Sequence, residues 1–345
     1  MSVLLTGAAG FIGFHVARRL LARGEDVTGI DNLNDYYDPA LKEARLAALA
    51  GVGPGRFDFR KVDFADAGAL ETALADSAFD RIVHLGAQAG VRYSLQNPRA
   101  YAASNLVGHL NMLELARHRA VRHFVYASSS SVYGGNESLP FRVEDRVDHP
   151  VSLYAATKKA DELMSEAYAH LYRIPATGLR FFTVYGPWGR PDMAAWIFTE
   201  KVLAGAPIPV FDESRMQRDF TYIDDIVDGV VASLDRPPAD DGAAKPGGSV
   251  SAHAIYNLGN SRPEPLSALI AAIEKACGRA AIREPMPMQP GDVARTYADI
   301  EASRRDLGFE PRTSLEDGIA RFVEWYRGYA PTRRRAERAG APGAP

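Results

Sequence analysis

The chain has 345 residues, a formal net charge of −3, 46% hydrophobic and 24% charged residues, and so no electrostatic case for a nucleic-acid or membrane-surface partner. No apolar run approaches the roughly 20 residues needed to cross a bilayer. A single cysteine, Cys277, excludes a disulfide framework and points to a reduced, cytoplasmic enzyme.

The N-terminal half alternates apolar runs with helical patterns. Val3–Leu5 reads as a buried strand, Phe14–Arg23 as a helix and Asp26–Ile30 as a second strand. Arg60–Asp63 is a third short strand, Leu70–Leu74 part of a helix and Ile82–Leu85 a fourth strand. Leu106–Arg117 and Tyr154–Tyr172 are long helices; His123–Ala127 and Ala176–Phe182 are strands. Such alternation predicts an α/β fold, a Rossmann-like doubly wound parallel sheet. After Thr183, turn-rich segments interrupt shorter elements. Residues 1–183 are therefore mainly the nucleotide-binding domain, with segments near 220–260 returning to it. Residues 184–330 are mainly a smaller, discontinuous substrate lobe. Residues Arg236–Ser251 read as a mobile surface loop. The Arg-, Ala-, Gly- and Pro-rich stretch 331–345 reads as a disordered tail.

Gly7, Gly10 and Gly13 follow the first strand and open the first helix. Gly7 suits the tight turn, Gly10 the approach of backbone N–H groups to a pyrophosphate, and Gly13 close helix–strand packing. Asp31, ending the second strand, suits the ribose hydroxyls and repels a 2′-phosphate, so NAD is favoured over NADP. Asp63 and Phe64 suit adenine, the one through its carboxylate and the other through its ring. Tyr154 and Lys158 stand at i, i+4 on one helical face. A free phenol titrates near ~10 and needs a neighbouring cation to serve as a base at neutral pH. Ser128–Ser131 put hydroxyls at a carboxyl strand end, where doubly wound sheets bind ligands. The scattered histidines form no metal-binding pattern, and no metal is assigned.

TGAAGFIG, the serine run ending in VYG, and YAATK together resemble the extended short-chain dehydrogenase/reductases that act on nucleotide sugars. The resemblance spans about Ser2 to Tyr329. It implies Tyr154 as base, Lys158 as its electrostatic partner and ribose ligand, and Ser129 as the hydroxyl sharing the moving proton. It also implies an NAD site that includes Phe11, Ile12, Asn32 and the turn Leu85, Ala87 and Gln88. Gly86 departs from the alanine more frequent in the family, which would loosen that turn. Within the family, Asp31–Pro39 with Leu41–Lys42, Ala87–Ser94 and Arg180–Ala194 are similar to the UDP-glucuronate 4-epimerases. That likeness implies a homodimer through a four-helix bundle, NAD as cofactor and a UDP-sugar substrate. A glucuronate carboxylate suits Arg190, with Ser130, Ser131 and Thr183 as further donors. Arg218 and Asp292 resemble diphosphate- and ribose-binding positions, and Val210 and Phe211 would pack against uracil. The alternative for Arg218 is a surface pair with Asp219. Alternative functions are a UDP-glucose or UDP-N-acetylhexosamine 4-epimerase and a non-enzymatic NAD-binding protein.

Overall fold

The computed structural model describes residues 2–211, 216–287 and 293–340, with 331–340 as backbone alone. The chain opens with β1 (Ser2–Thr6), α1 (Phe11–Ala22), β2 (Asp26–Asp31), α2 (Pro39–Ala47), β3 (Phe57–Lys61), α3 (Ala67–Ala73) and β4 (Arg81–His84). The turns α4 (Tyr93–Gln96) and α5 (Pro98–Tyr101) lead through a π-helical segment, Ala102–Val107, into α6 (Gly108–His118). Next come β5 (His123–Ser129), a 3₁₀ turn at Ser130–Tyr133, α7 (Leu153–Tyr172), β6 (Ala176–Phe181) and β7 (Thr183–Tyr185). The remainder holds α8 (Ala194–Ala204), β8 (Ile208–Phe211), β9 (Gln217–Tyr222), α9 (Ile223–Leu234) and β10 (His253–Leu258). It ends with β11 (Pro263–Pro265), α10 (Leu266–Cys277), β12 (Arg283–Met286), α11 (Glu301–Leu307) and α12 (Leu315–Gly340).

The main sheet has seven strands in the order β10-β6-β5-β4-β1-β2-β3, every pair parallel. This is the doubly wound sheet the alternation predicts. Successive strand residues face opposite sides: Val3 and Leu5 enter one core with α1 and α9, whereas Leu4 enters another with Met112 and Leu113 of α6. The order reverses between β1 and β4, so a crevice opens beyond their carboxyl ends. Two small sheets, β11-β9-β7 and β12-β8, complete the second lobe.

Four differences from the sequence reading stand out. The third strand begins at Phe57 and ends at Lys61, earlier than expected, because it takes its register from β2. The helix α2 was not foreseen, although Asp38 caps it and Pro39 opens it, a recognisable start signal. The 236–251 loop is fastened, with Ile255 N donating to Pro246 O at 2.8 Å. Finally, α12 continues to Gly340 through residues assigned to a disordered tail; its Arg, Ala and Glu residues are strong helix formers.

Candidate active site

The glycine loop is shaped by what it cannot hold. Gly7 has φ +68, and a Cβ on Gly13 would lie 2.0 Å from Gly7 O. Gly10 N donates to Gly7 O at 2.8 Å. Gly10 then caps α1 without any side-chain hydrogen bond, so the helix start at Phe11, Ile12 and Gly13 presents its positive end outward. At the end of β2, Asp31 accepts Ala9 N at 3.3 Å and Leu33 N at 2.9 Å, one on each oxygen. Each oxygen keeps a lone pair for a ribose hydroxyl. Burial raises the Asp31 carboxyl above its ordinary range, and the nearby Lys42 ammonium partly offsets this. An uncapped helix start, a cradle that a Cβ would fill and a carboxylate beside it fit a dinucleotide.

The rest of the expected NAD site divides. Asn32 Nδ2 donates to Asp63 Oδ2 at 2.9 Å, joining the ends of β2 and β3. Phe64 packs inward: the residue is 7% exposed and its ring meets His84 edge-on at 5.1 Å. It was misplaced because a strand-end pattern does not tell which face an aromatic takes. Phe64 also explains Gly86, where a Cβ would stand 2.6 Å from its ring. The turn Leu85–Gln88 is not loose. Gly86 N donates to Thr6 Oγ1 at 2.8 Å, and Gln88 N to Asn105 Oδ1 at 2.8 Å. Asn105, which the sequence gave no reason to notice, also donates to Thr157 Oγ1 at 3.0 Å. It thereby ties this turn, with Ala87, to the Tyr154–Lys158 helix.

Ser152 caps α7 by accepting Ala155 N, so Tyr154 and Lys158 lie in its first turns. Lys158 is 3% exposed and donates to Ala127 O at 2.9 Å and Asp161 Oδ2 at 3.0 Å. Tyr154 is half-buried, with the Tyr101 ring edge-on at 6.0 Å. Ser129 Oγ accepts Ser131 N at 3.1 Å, leaving its proton to donate. Ser129 is in register with Phe181, so Ser130, Ser131 and Thr183 leave adjacent strand ends. Beneath them lies a buried network that sequence reasoning missed. Arg180 grips Glu162 with bonds of 2.7 and 2.9 Å, and Ser128 donates to the same carboxylate at 2.7 Å. Burial opposes the Glu162 charge, yet Arg180 outweighs it and holds the carboxyl below its ordinary range.

In the second lobe, Thr183 and Arg190 share a cavity with Phe11, Gly189 and Met193. The Arg190 fork is not open on all sides, because Asp192 accepts from Nε at 3.0 Å and from Nη2 at 2.8 Å. Arg218 makes no surface pair with Asp219. Asp219 is fully buried and accepts Ala298 N at 3.0 Å, whereas Arg218 Nη1 donates to Gln217 O and Ala294 O, both at 3.0 Å. Val210 is 3% exposed in the main core, so it has no face for uracil. Phe211 lies under the Arg92 guanidinium at 4.7 Å. Asp292 lies outside the described residues. Among the described residues, no group of His, Cys, Asp and Glu is placed to hold a metal, and no helix is long and apolar enough to cross a membrane.

Fold and site together define a Rossmann-type protein that presents a tyrosine–lysine helix and a serine-rich strand end to a dinucleotide cradle. Residues 3–259 match the family model described as the NAD dependent epimerase/dehydratase family, and the chain belongs to that family. It is 49% identical over 332 residues to a probable UDP-glucuronate 4-epimerase of Rhizobium meliloti, covering 94% of this chain and 97% of the relative. Among solved structures, it resembles the Bacillus cereus UDP-glucuronic acid 4-epimerase, in complex with UDP-glucuronic acid and NAD. The TM-score there is 0.85 at 31% identity, over 95% of this chain and all of that one. It also resembles the Thermotoga maritima UDP-glucose 4-epimerase with UDP-glucose, with a TM-score of 0.82 at 28% identity over 96% of this chain and 100% of that one.

Proposed function

We propose that the chain is an NAD-dependent UDP-glucuronate 4-epimerase that interconverts UDP-glucuronate and UDP-galacturonate through a 4-keto sugar. The observation that carries this reading is the Arg190 guanidinium, which lines one cavity with Thr183 at the strand ends that carry the serine run. A neutral C6 hydroxymethyl gains little from a guanidinium, whereas a carboxylate matches it.

The residues that hold NAD are Gly7, Gly10, Phe11, Ile12 and Gly13 at the diphosphate, Asp31 and Asn32 at the adenosine ribose, and the Leu85–Gln88 turn near the nicotinamide. When bound, the nicotinamide supplies the hydride acceptor for C4 and the donor for its return. Tyr154 accepts the C4 hydroxyl proton as the carbonyl forms and gives it back after the sugar has turned. Ser129 donates to the same oxygen, and Lys158 serves as the electrostatic partner of Tyr154 and as a ligand of the nicotinamide ribose. Arg218 holds the diphosphate while the sugar rotates. Ser130, Ser131, Thr183 and Arg190 hold the carboxylate of the β-keto acid, which limits loss of CO2. With the lobes divided at about residue 183, the turning sugar lies between the two halves in this reading. The reading extends to a cytoplasmic enzyme, supported by lone Cys277 and NAD use, and to a homodimer through α6 and α7, supported by the exposed Leu110, Leu163 and Leu171.

The test is incubation with UDP-glucuronate, UDP-glucose and UDP-N-acetylglucosamine, followed by product separation. UDP-galacturonate is the expected product. Epimerisation of the neutral sugars alone would establish the alternative reading. Tyr154→Phe keeps the ring and should lower turnover at least about 10²-fold, the scale of acid–base catalysis, with NAD still bound. Near-normal turnover would mean that another group moves the proton.

A further inference from the structure

The stretch from Asp31 to Lys42 does more than border the cofactor cradle. Its aromatic part reaches across to the second lobe. Tyr36 donates its hydroxyl to Asp192 Oδ2 at 3.0 Å, and Asp192 in turn occupies the Nε and Nη2 edge of Arg190. Tyr36 is itself fixed from behind. Its ring lies 4.8 Å from that of Tyr93, and its hydroxyl sits where a Cβ on Gly90 would stand 2.6 Å away. Tyr93 contacts Tyr101, whose ring meets Tyr154. Thus the segments 31–42, 87–94 and 180–194 converge on one hydroxyl.

The backbone of the same loop is held by the helix that follows. Arg45 is fully buried and donates to Trp188 O at 2.6 Å and Gly189 O at 3.2 Å. Its Nη1 reaches Ala9 O in the glycine loop at 2.9 Å. One insertion of the nucleotide-binding half therefore holds both the backbone before Arg190 and its head group.

A guanidinium is planar, so fixing one edge fixes the direction of the other. With Nε and Nη2 taken by Asp192, Nη1 remains, without a protein partner among the described residues. The charge of Asp192 is compensated by Arg190 and Tyr36, so it does not stand as a free anion facing a sugar carboxylate.

We propose that Tyr36 and Asp192 are specificity-determining positioning residues, which hold the Nε–Nη2 edge of Arg190 so that Nη1 is directed to the C6 carboxylate of the sugar. This rests on the UDP-glucuronate reading above. Affinity for the acid follows the charge of Arg190, whereas turnover follows its orientation, so a positioning role separates KM from kcat.

The experiment uses the NAD-loaded enzyme with Tyr36→Phe and Asp192→Asn, and Arg190→Ala as reference. It measures kcat and KM on UDP-glucuronate, NAD content and the Kd of UDP-glucose by calorimetry. Loss of an orienting hydrogen bond should lower kcat several-fold in Tyr36→Phe, with KM little changed, and about tenfold in Asp192→Asn, with KM no higher than wild type because the anion beside Arg190 is gone. NAD content and UDP-glucose affinity should stay at wild-type values. A kcat within twofold of wild type in both variants overturns the proposal, as does a parallel loss of NAD and UDP-glucose binding. Should Asp192→Asn not fold, Tyr36→Phe, which keeps the ring, decides alone. If the wild-type enzyme leaves UDP-glucuronate unchanged, the underlying reading fails first and the proposal with it.

Discussion

Asp161 sets the terms on which Lys158 acts. Its carboxylate is fully buried, bonds Lys158 at 3.0 Å through Oδ2 and has no hydrogen-bond partner at Oδ1 among the described residues. Burial pushes its carboxyl up to about 6, against the pull of Lys158. A raised carboxyl means that the folded protein binds this proton more tightly than the unfolded chain. The stability associated with it is therefore complete below the ordinary value near 4 and is lost as pH rises to about 6. Asp161→Asn removes that loss, so its stability relative to wild type should rise between pH 4 and 7, by up to about 3 kcal/mol. Urea unfolding at both pH values checks this; a pH-independent difference would mean that folding leaves the Asp161 proton affinity unchanged. The i, i+4 spacing made Tyr154 and Lys158 legible in the sequence. Asp161 lies at i+3 from Lys158 and was open to the same reasoning. What no spacing supplies is that this face is buried, and burial gives the acid its effect. Arg190 and Thr183 were legible as chemistry, whereas Asp192 and Tyr36 come together across 156 residues of sequence.

At the scale of elements, the start of α1 couples fold and binding most tightly. Gly13 fits because the backbone of Gly7 passes over it, and an added Cβ would collide with a carbonyl oxygen at 2.0 Å. No side-chain rotation relieves that contact. Gly13→Ala should therefore force the loop outward, at roughly 1–3 kcal/mol, and weaken NAD binding more than it weakens folding. A thermal melt with and without NAD separates the two: the stabilisation that NAD confers should shrink. An NAD-dependent shift equal to wild type would place the pyrophosphate elsewhere. The glycine spacing and the buried parallel strands were readable because both faces of each central strand are covered, which leaves continuous apolar runs such as Val3–Leu5. The strands of the second lobe were not. Thr183–Tyr185 and Ile208–Phe211 are short and take partners far along the chain, β9 and β12, so no local period marks them. The face taken by Phe64 was equally silent, since packing against His84 and Gly108 decides it.

For the whole molecule, the unfinished surface lies on α6 and α7. The sequence shows apolar residues around both helices, and the structure sorts them. Leu113 is fully buried and Met164 packs against the second core, while Leu110 is 41%, Leu163 60% and Leu171 65% exposed. Leu163 and Leu171 stand eight residues apart, on one face of α7. Val107, at 50% exposure, continues the patch three residues before Leu110. A helix apolar on both faces requires cover on both, and the inner face is already packed within the subunit. In the proposed dimer, a second copy of the chain offers the same two helices about a two-fold axis and covers the outer one. Leu163→Glu combined with Leu171→Glu would place four carboxylates in the contact of such a dimer, where buried like charges are strongly disfavoured. Light scattering should then give a mass near that of one chain for the variant and near that of two for the wild type. Tyr154, Lys158 and Arg190 all come from a single chain, so turnover per subunit should persist wherever the variant remains folded. A wild-type enzyme that runs as a monomer at micromolar concentration would leave these leucines without a partner and refute the dimer.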